Sequence, residues 1–94
     1  MRATAKTFPL GQVVATPGAL QAFTLLEEHP LPYLSHHARG DWGDLCREDA
    51  LANDQALEGG GRLFSAYKLR DGTKIWIITE ADRSSTCILL PEEY

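Results

Sequence analysis

The side chains most capable of metal or nucleophile chemistry are concentrated between positions 29 and 46. They are His29, His36, His37, Asp41, Asp44 and Cys46. Neighbouring residues of a helix point about 100° apart, so His36 and His37 cannot both face one ion without distortion. The sequence also lacks the Cys-x-x-Cys and His-Glu-x-x-His spacings of zinc sites. We therefore predict surface or half-buried histidines and no resident metal. A small metal-dependent hydrolase built on His36, His37 and nearby acids is an alternative.

A nucleophilic site would need a serine or cysteine beside a histidine and an orienting acid. Cys46 could pair with His36 or His37, but it falls on the apolar stripe of a predicted helix, where a cysteine usually packs as a small core residue. The glycines at 59–61 follow that helix, whereas phosphate-binding glycines precede a helix. The sequence thus predicts a protein that is not an enzyme, with no catalytic residues and no cofactor.

Acidic side chains dominate the segment from residue 41 to residue 58, where Arg47 is the single base. They are Asp41, Asp44, Glu48, Asp49, Asp54 and Glu58. At helical spacing such carboxylates stand several ångströms apart, which is comparable to the phosphates of DNA. A face of this kind can occupy the nucleic-acid groove of another protein. The alternative interpretation is a helix face that is acidic only because it is solvated.

Aromatic residues in the C-terminal third predict a second, apolar surface. Trp76 alternates with Ile75 and Ile77, so it falls on the opposite side of a strand from these two isoleucines. On the less covered sheet face, Trp76 would join Phe64 or Tyr67 in an apolar contact patch. We therefore keep Phe64, Tyr67 and Trp76 as an alternative binding surface.

Caps and prolines indicate where the first two helices begin and end. The Thr-Pro pair at 16–17 favours a helix start, and an apolar stripe that includes Leu20 and Phe23 predicts a helix over 17–28. The next proline ends this helix, and a second short helix is predicted over 31–37.

The third predicted helix carries most of the acids. Before it, residues 39–44 place two glycines around Trp42, which predicts an ordered loop anchored by a buried indole. The helix itself is predicted over 45–58 and ends at the glycines 59–61. Its expected apolar stripe is Cys46, Ala50, Asn53 and Leu57.

A β-meander is predicted for the C-terminal third. Apolar runs at 63–69 and 74–79 flank an Asp-Gly turn, and a third strand over 85–90 is closed by Pro91. A short β-branched strand over 11–15 is expected to be able to join this sheet. The predicted fold class is therefore α+β: a three- or four-stranded, mostly antiparallel sheet with two to three helices on one face.

Length and composition describe one globular domain. The chain has 94 residues, 44% of them hydrophobic and 23% charged, which fits a single core over residues 1–94. Residues 1–7 are polar and predict a flexible tail. The sequence has no apolar run of the roughly 18 residues that a membrane span needs, and no signal peptide, so we expect a cytoplasmic protein. Cys46 and Cys87 are expected to stay unpaired.

Net charge bears on the kind of partner. At −4, the charge disfavours direct binding to nucleic acid, which depends on clustered lysines and arginines. The charge is also uneven, because the segment from residue 62 to residue 74 carries four bases against one acid. We expect the partner to be another protein, and the oligomeric state stays open.

Three segments carry a resemblance to a known group of proteins. They are residues 39–45, 71–83 and 89–94, with the sequences RGDWGDL, DGTKIWIITEADR and LLPEEY. Over roughly residues 11–94 the chain resembles a family of small bacterial proteins of plasmids and other mobile elements, some of which carry restriction-associated labels. Small acidic proteins of mobile elements often antagonise host defence, as anti-CRISPR and antirestriction proteins do. The resemblance implies such a role and assigns no catalytic residues.

These observations support one leading hypothesis and two alternatives. The leading hypothesis is a non-enzymatic protein that inhibits a bacterial defence complex, of the anti-CRISPR or antirestriction type, through its acidic loop and third helix. The first alternative is a regulatory or antitoxin-like module of a mobile element that binds through the apolar sheet face. The second is the metal-dependent hydrolase.

Overall fold

The computed structural model describes residues 8–94 as a four-stranded sheet with helices packed on it. In chain order the elements are β1 (Gln12–Ala15), α1 (Pro17–Leu26), α2 (Leu31–Ala38), α3 (Arg47–Gly59), β2 (Leu63–Lys68), β3 (Lys74–Thr79), β4 (Ser85–Leu89) and a 3-10 turn (Pro91–Glu93). This architecture confirms the α+β prediction. The expected tail at residues 1–7 lies outside the described residues. Among the described residues, no helix is long and apolar enough to cross a bilayer.

The sheet is mixed, with the strand order β1-β4-β3-β2. The meander β2-β3-β4 is antiparallel, as predicted, and β1 lies parallel to β4 at the far edge. A parallel neighbour requires a long crossover connection, which the helices between β1 and β2 supply. Gly11 precedes β1 with φ +66°, and a Cβ there would lie 2.3 Å from the Ser84 carbonyl oxygen. The first strand therefore approaches β4 at a position that only glycine fits.

The main core lies between the sheet and the helices α1 and α2. Its largest buried members are Phe23, Leu34, Tyr67, Leu69, Ile75, Ile77 and Ile88. Burial of each large apolar side chain stabilises the fold by about 1.5–3 kcal/mol. Leu20 was expected on the buried stripe of α1, but it is 53% exposed. The helix instead turns Ala19 and Phe23, four residues apart, toward the sheet.

The C-terminal turn is fastened to the start of α1. The Glu93 carboxylate accepts hydrogen bonds from the Thr16 hydroxyl and from the backbone N–H of Gly18. These bonds to the charged form lower the pKa of Glu93 below its usual range. A side chain at Gly18 would collide with this carboxylate. The glutamate at position 93 in the C-terminal sequence LLPEEY thus has a structural role, since it binds the N-terminus of α1.

Candidate functional site

The loop at residues 39–46 docks on the outer edge of β2. The Ala66 N–H donates to the Trp42 carbonyl at 3.2 Å, and the Asp44 N–H donates to the Ala66 carbonyl at 2.7 Å. Gly43 lies opposite Ala66 in this short parallel bridge. The Tyr67 hydroxyl donates to the Asp41 carbonyl. The loop therefore pairs with β2 through one short bridge, which holds the backbone of residues 41–44 against the edge of the sheet.

Trp42 ties the loop to the helices. Its side chain is 6% exposed, which confirms the predicted anchor. The indole N–H donates to the Asp54 carboxylate on α3 at 3.2 Å. The ring also packs edge-on against His37 of α2, with 5.7 Å between centroids. A shift of this loop would consequently disturb both helices.

Asn53 fixes α3 against the same edge of β2. Its side-chain amide donates to the Phe64 carbonyl at 2.5 Å, and its side-chain oxygen accepts from the Phe64 N–H at 3.1 Å. One side chain thereby replaces a neighbouring strand at this position. Asn53 was expected on the inward stripe of this helix and is buried there, but it is held by two backbone hydrogen bonds and not by apolar packing.

The start of α3 also differs from the prediction. The helix begins at Arg47, and Cys46 is its exposed N-cap residue, so Cys46 is not a core residue. Both Cys46 and Cys87 are free thiols. Burial raises the pKa of the Cys87 thiol, which favours its uncharged form.

Five of the six sequence-predicted acids are exposed, and Asp54 is half-buried beneath Trp42. Four of the exposed acids belong to the loop and to the first turn of α3, and we name them the acidic loop–helix surface. They are Asp41, Asp44, Glu48 and Asp49. Glu58 lies ten residues beyond Glu48, about 15 Å along the helix axis. Four of the predicted acids are thus exposed and close in the chain, whereas Glu58 lies farther along the helix and Asp54 is half-buried.

Basic groups border the acidic loop–helix surface. The Asp41 carboxylate lies 2.9 Å from the His36 imidazole, and both side chains are about half exposed. Asp44 and Trp76 line a concavity of about 300 Å³ together with Lys68 and Lys74. The negative charge is therefore concentrated toward α3 and is partly balanced toward β2 and β3.

His37 is the centre of a buried hydrogen-bond chain. Its side chain is 0% exposed, with Nδ1 against the Ser65 hydroxyl and Nε2 2.8 Å from the Thr79 hydroxyl. Thr79 in turn contacts Thr86 at 2.7 Å, and Thr86 donates to the Leu10 carbonyl.

The direction of this chain fixes the imidazole tautomer. A carbonyl only accepts, so Thr86 donates to Leu10, Thr79 donates to Thr86, and the His37 Nε2–H donates to Thr79. Nδ1 then accepts from the Ser65 hydroxyl. Burial lowers the pKa of His37 from 6.5 to about 4, in agreement with a neutral ring.

The two adjacent histidines therefore have different surroundings. His37 uses both ring nitrogens within the core, whereas His36 is directed toward Asp41 near the surface. Within residues 8–94, no group of three or more His, Cys, Asp or Glu side chains is placed to hold a metal ion. Ser65 and His37 form a hydroxyl–imidazole pair, but both are 0% exposed and no substrate can reach them.

The sheet face opposite α1 and α2 carries an aromatic cluster. Phe64 and Trp76 pack edge to face with centroids 4.9 Å apart, and Tyr94 packs on Trp76 at 5.7 Å. Arg62 donates to the Tyr94 hydroxyl at 3.2 Å. With Ile78, these side chains line a concavity of about 280 Å³. We name Phe64, Trp76, Ile78 and Tyr94 the aromatic sheet face.

Tyr67 was wrongly grouped with this face. It lies three residues after Phe64, and side chains of a strand alternate, so the two point to opposite sides of the sheet. Tyr67 is 8% exposed and packs in the main core against Tyr33, with centroids 5.7 Å apart. Burial raises the pKa of its hydroxyl to about 12.

Sequence reasoning missed Tyr94, a member of the aromatic sheet face, and Arg62, which donates a hydrogen bond to it. Arg62 and Tyr94 are 32 positions apart and meet because the 3-10 turn carries the chain back to the sheet. Pro91 after the last strand was a signal for a turn, but nothing in the pattern indicated its direction. Comparison with protein-family models, with curated proteins and with solved structures returned no match.

Proposed function

We propose that the protein inhibits a nucleic-acid-binding bacterial defence complex, without catalysis of its own, by placing its acidic loop–helix surface against a basic groove of that complex. The observation that carries this proposal is the docking of residues 42–44 on β2. Because backbone hydrogen bonds hold the loop at Ala66, the backbone that carries Asp41 and Asp44 is held against the edge of β2, shortly before α3 begins in the chain.

Rigid presentation favours binding, because a surface that is already ordered loses little conformational freedom when its partner docks. Exposed carboxylates of one sign also attract a basic partner before contact and raise the association rate. The net charge of −4 acts in the same direction. The resemblance to small proteins of mobile elements supports a defence complex as the basic partner.

Helix stability explains only part of this acidity. Glu48 and Asp49 lie in the first turn of α3, where the helix dipole favours negative charge. Glu58 lies near the other end, where the dipole disfavours an acid, and the last turn has no basic residue. The distribution of acids is therefore not that of a helix selected for its own stability.

A second candidate function is favoured by the aromatic sheet face. A regulatory or antitoxin-like module of a mobile element would bind an apolar segment of its partner over Trp76 and Phe64. The support is the concavity of about 280 Å³ between these rings and Tyr94. Aromatic side chains in such a position are frequent sources of binding energy at interfaces.

Pull-down from cells that contain a CRISPR or restriction complex separates the two candidates. The tagged wild-type protein should recover components of the complex, and the double variant Asp44→Lys/Glu48→Lys should lose them. The matched control is Glu27→Lys/Glu92→Lys, which makes the same charge change at two exposed acids elsewhere. Recovery of no defence component in any host would contradict the proposal. Loss only with Trp76→Ala, at unchanged melting temperature, would favour the aromatic sheet face.

A further inference from the structure

One continuous part of the chain has no charged side chain. Residues 8–26 contain no Asp, Glu, Lys or Arg, although 23% of the whole chain is charged. This segment supplies β1 and α1, which follow each other directly in the chain and both contact β4. The β2 edge of the sheet carries the acidic loop–helix surface.

The outer edge of β1 is open among residues 8–94, since β4 is its single neighbour in the sheet. The Gln12 N–H donates to the Ser84 carbonyl and the Thr16 N–H donates to the Ile88 carbonyl, both at 3.0 Å. Backbone groups of a strand alternate in direction, so the N–H and C=O groups of Val13 and Ala15 point away from β4. These four groups need another extended chain or water.

β1 is a short strand of four residues, and its sequence offers no other protection of an open edge. Charged side chains, an internal proline or a bulge discourage pairing with another chain, and the sequence QVVA has none of them. At the opposite edge of the sheet, the outward backbone groups of β2 have partners. The loop forms hydrogen bonds with Ala66, and the Asn53 side chain forms hydrogen bonds with Phe64. Within residues 8–94 the fold thus pairs backbone groups of one edge and leaves the other edge open.

The uncharged segment exposes apolar side chains both on β1 and on α1. Val13 is 43% exposed and Val14 44% exposed, and the same uncharged segment exposes 53% of Leu20 and 74% of Leu25. These four residues are the majority of the seven large apolar side chains that residues 8–94 leave exposed. An uncharged apolar surface beside an open strand is typical of a protein–protein interface.

We propose that a second copy of this chain covers this edge, with the two β1 strands antiparallel about a two-fold axis at Val14. In this register Val13 pairs with Ala15 of the partner subunit, and Ala15 pairs with Val13 of the partner subunit. All four outward backbone groups of each strand are then hydrogen-bonded. Val14 lies opposite Val14 of the partner subunit, a β-branched pair of the kind that stabilises antiparallel strands.

The charge distribution favours a second copy of the chain as the partner at the edge of β1. Two molecules of net charge −4 repel each other, and the repulsion is smallest where the facing surfaces carry no charge. The edge of β1 is such a surface and is self-complementary in its hydrogen bonds, as a two-fold interface must be. β1 and β2 are the two ends of the sheet, so the dimer leaves both acidic loop–helix surfaces free. The inference does not depend on the proposed function.

Light scattering after gel filtration tests the proposal on the full chain. The wild type should elute with twice the chain mass of 10.4 kDa. Val14→Lys should give the mass of one chain at the same concentration, because it brings two ammonium groups together on the axis. The matched control Leu51→Lys changes a leucine that is 51% exposed on α3 and should leave the dimer intact. A wild type with the mass of one chain at every concentration would overturn the proposal.

Hydrogen exchange keeps the test valid if Val14→Lys fails to fold. In the wild type, the amides of Val13 and Ala15 should be protected at high concentration and should lose that protection on dilution, whereas the Val14 amide stays protected. Protection of Val13 and Ala15 in samples whose scattering mass is that of one chain would show that another part of the same chain covers the edge. Free exchange at every concentration would show an uncovered edge, and either result would overturn the dimer.

Discussion

Gly43→Ala should lower the free energy of unfolding by more than about 2 kcal/mol. This is the largest loss that we expect from any single methyl addition in the loop. Gly43 has φ +72°, and a Cβ there would lie 2.1 Å from the Ala66 carbonyl oxygen and 2.6 Å from the Tyr67 ring. The clash is with backbone, so it cannot be relieved by a change of rotamer. The loop would have to leave β2, which breaks its two hydrogen bonds to Ala66 and exposes Trp42.

Urea denaturation followed by tryptophan fluorescence measures this loss. Gly72→Ala is the matched control, because Gly72 also has a positive φ, of +91°, but no atom lies within 4 Å of the added Cβ. The control should lose about 1 kcal/mol from backbone strain alone. Equal losses in the two variants would contradict the tight docking of the loop, and with it the rigid support for Asp41 and Asp44.

Acidification should destabilise the protein between about pH 6.5 and pH 4 because His37 must stay neutral in the folded state. The folded pKa of about 4 lies below the ordinary 6.5, so within this interval the unfolded chain binds the proton more strongly. Stability is therefore complete above pH 6.5 and falls as the pH drops toward 4. Each pH unit corresponds to about 1.4 kcal/mol, which makes the total loss about 3 kcal/mol.

The measurement is the free energy of unfolding in urea at a series of pH values. His37→Gln should be less stable than the wild type at pH 7, since the hydroxyls of Ser65 and Thr79 lose their ring partner, but should be nearly independent of pH in this interval. His29→Gln changes an exposed histidine and should keep the wild-type slope. The carboxyls with lowered pKa, Glu28 and Glu93 among them, begin to lose their contribution only below about pH 5, so the histidine slope is read between about pH 6.5 and pH 5. A wild type without the slope would contradict the buried neutral imidazole.

The sequence was most informative where structure depends on neighbouring residues. The meander follows from alternating apolar strands and an Asp-Gly turn, and the start of α1 follows from Thr16 and Pro17. The parallel pairing of β1 with β4 joins residues about 70 positions apart, so no local pattern indicated it. No local pattern indicated the packing of the Tyr94 ring on Trp76 either, because these residues are also far apart in the chain.

Polar residues with long-range partners were the main source of error at the candidate site. Asn53 was expected on a helix stripe and His37 at the surface or half-buried, but hydrogen bonds to β2 and β3 hold both in the interior, and the prediction for His37 was wrong. For the acidic residues, the exposure was predictable but the structural support was not. Their exposure on the loop and α3 could be predicted from charge alone, whereas the support for Asp41 and Asp44 by the edge of β2 could not, because it depends on one glycine meeting one carbonyl.

The salt dependence of partner binding tests the proposed function most directly. If Asp41, Asp44, Glu48 and Asp49 meet a basic groove, added salt screens the attraction, since the Debye length falls from about 8 Å at physiological ionic strength to about 3 Å at 1 M. The Kd for the captured complex should then rise by an order of magnitude or more between about 50 and about 500 mM salt. Asp44→Lys/Glu48→Lys should slow association more than it speeds dissociation. A Kd that stays flat with salt, together with an unchanged association rate in the double variant, would contradict the account and would point to apolar contact, which moderate salt hardly weakens.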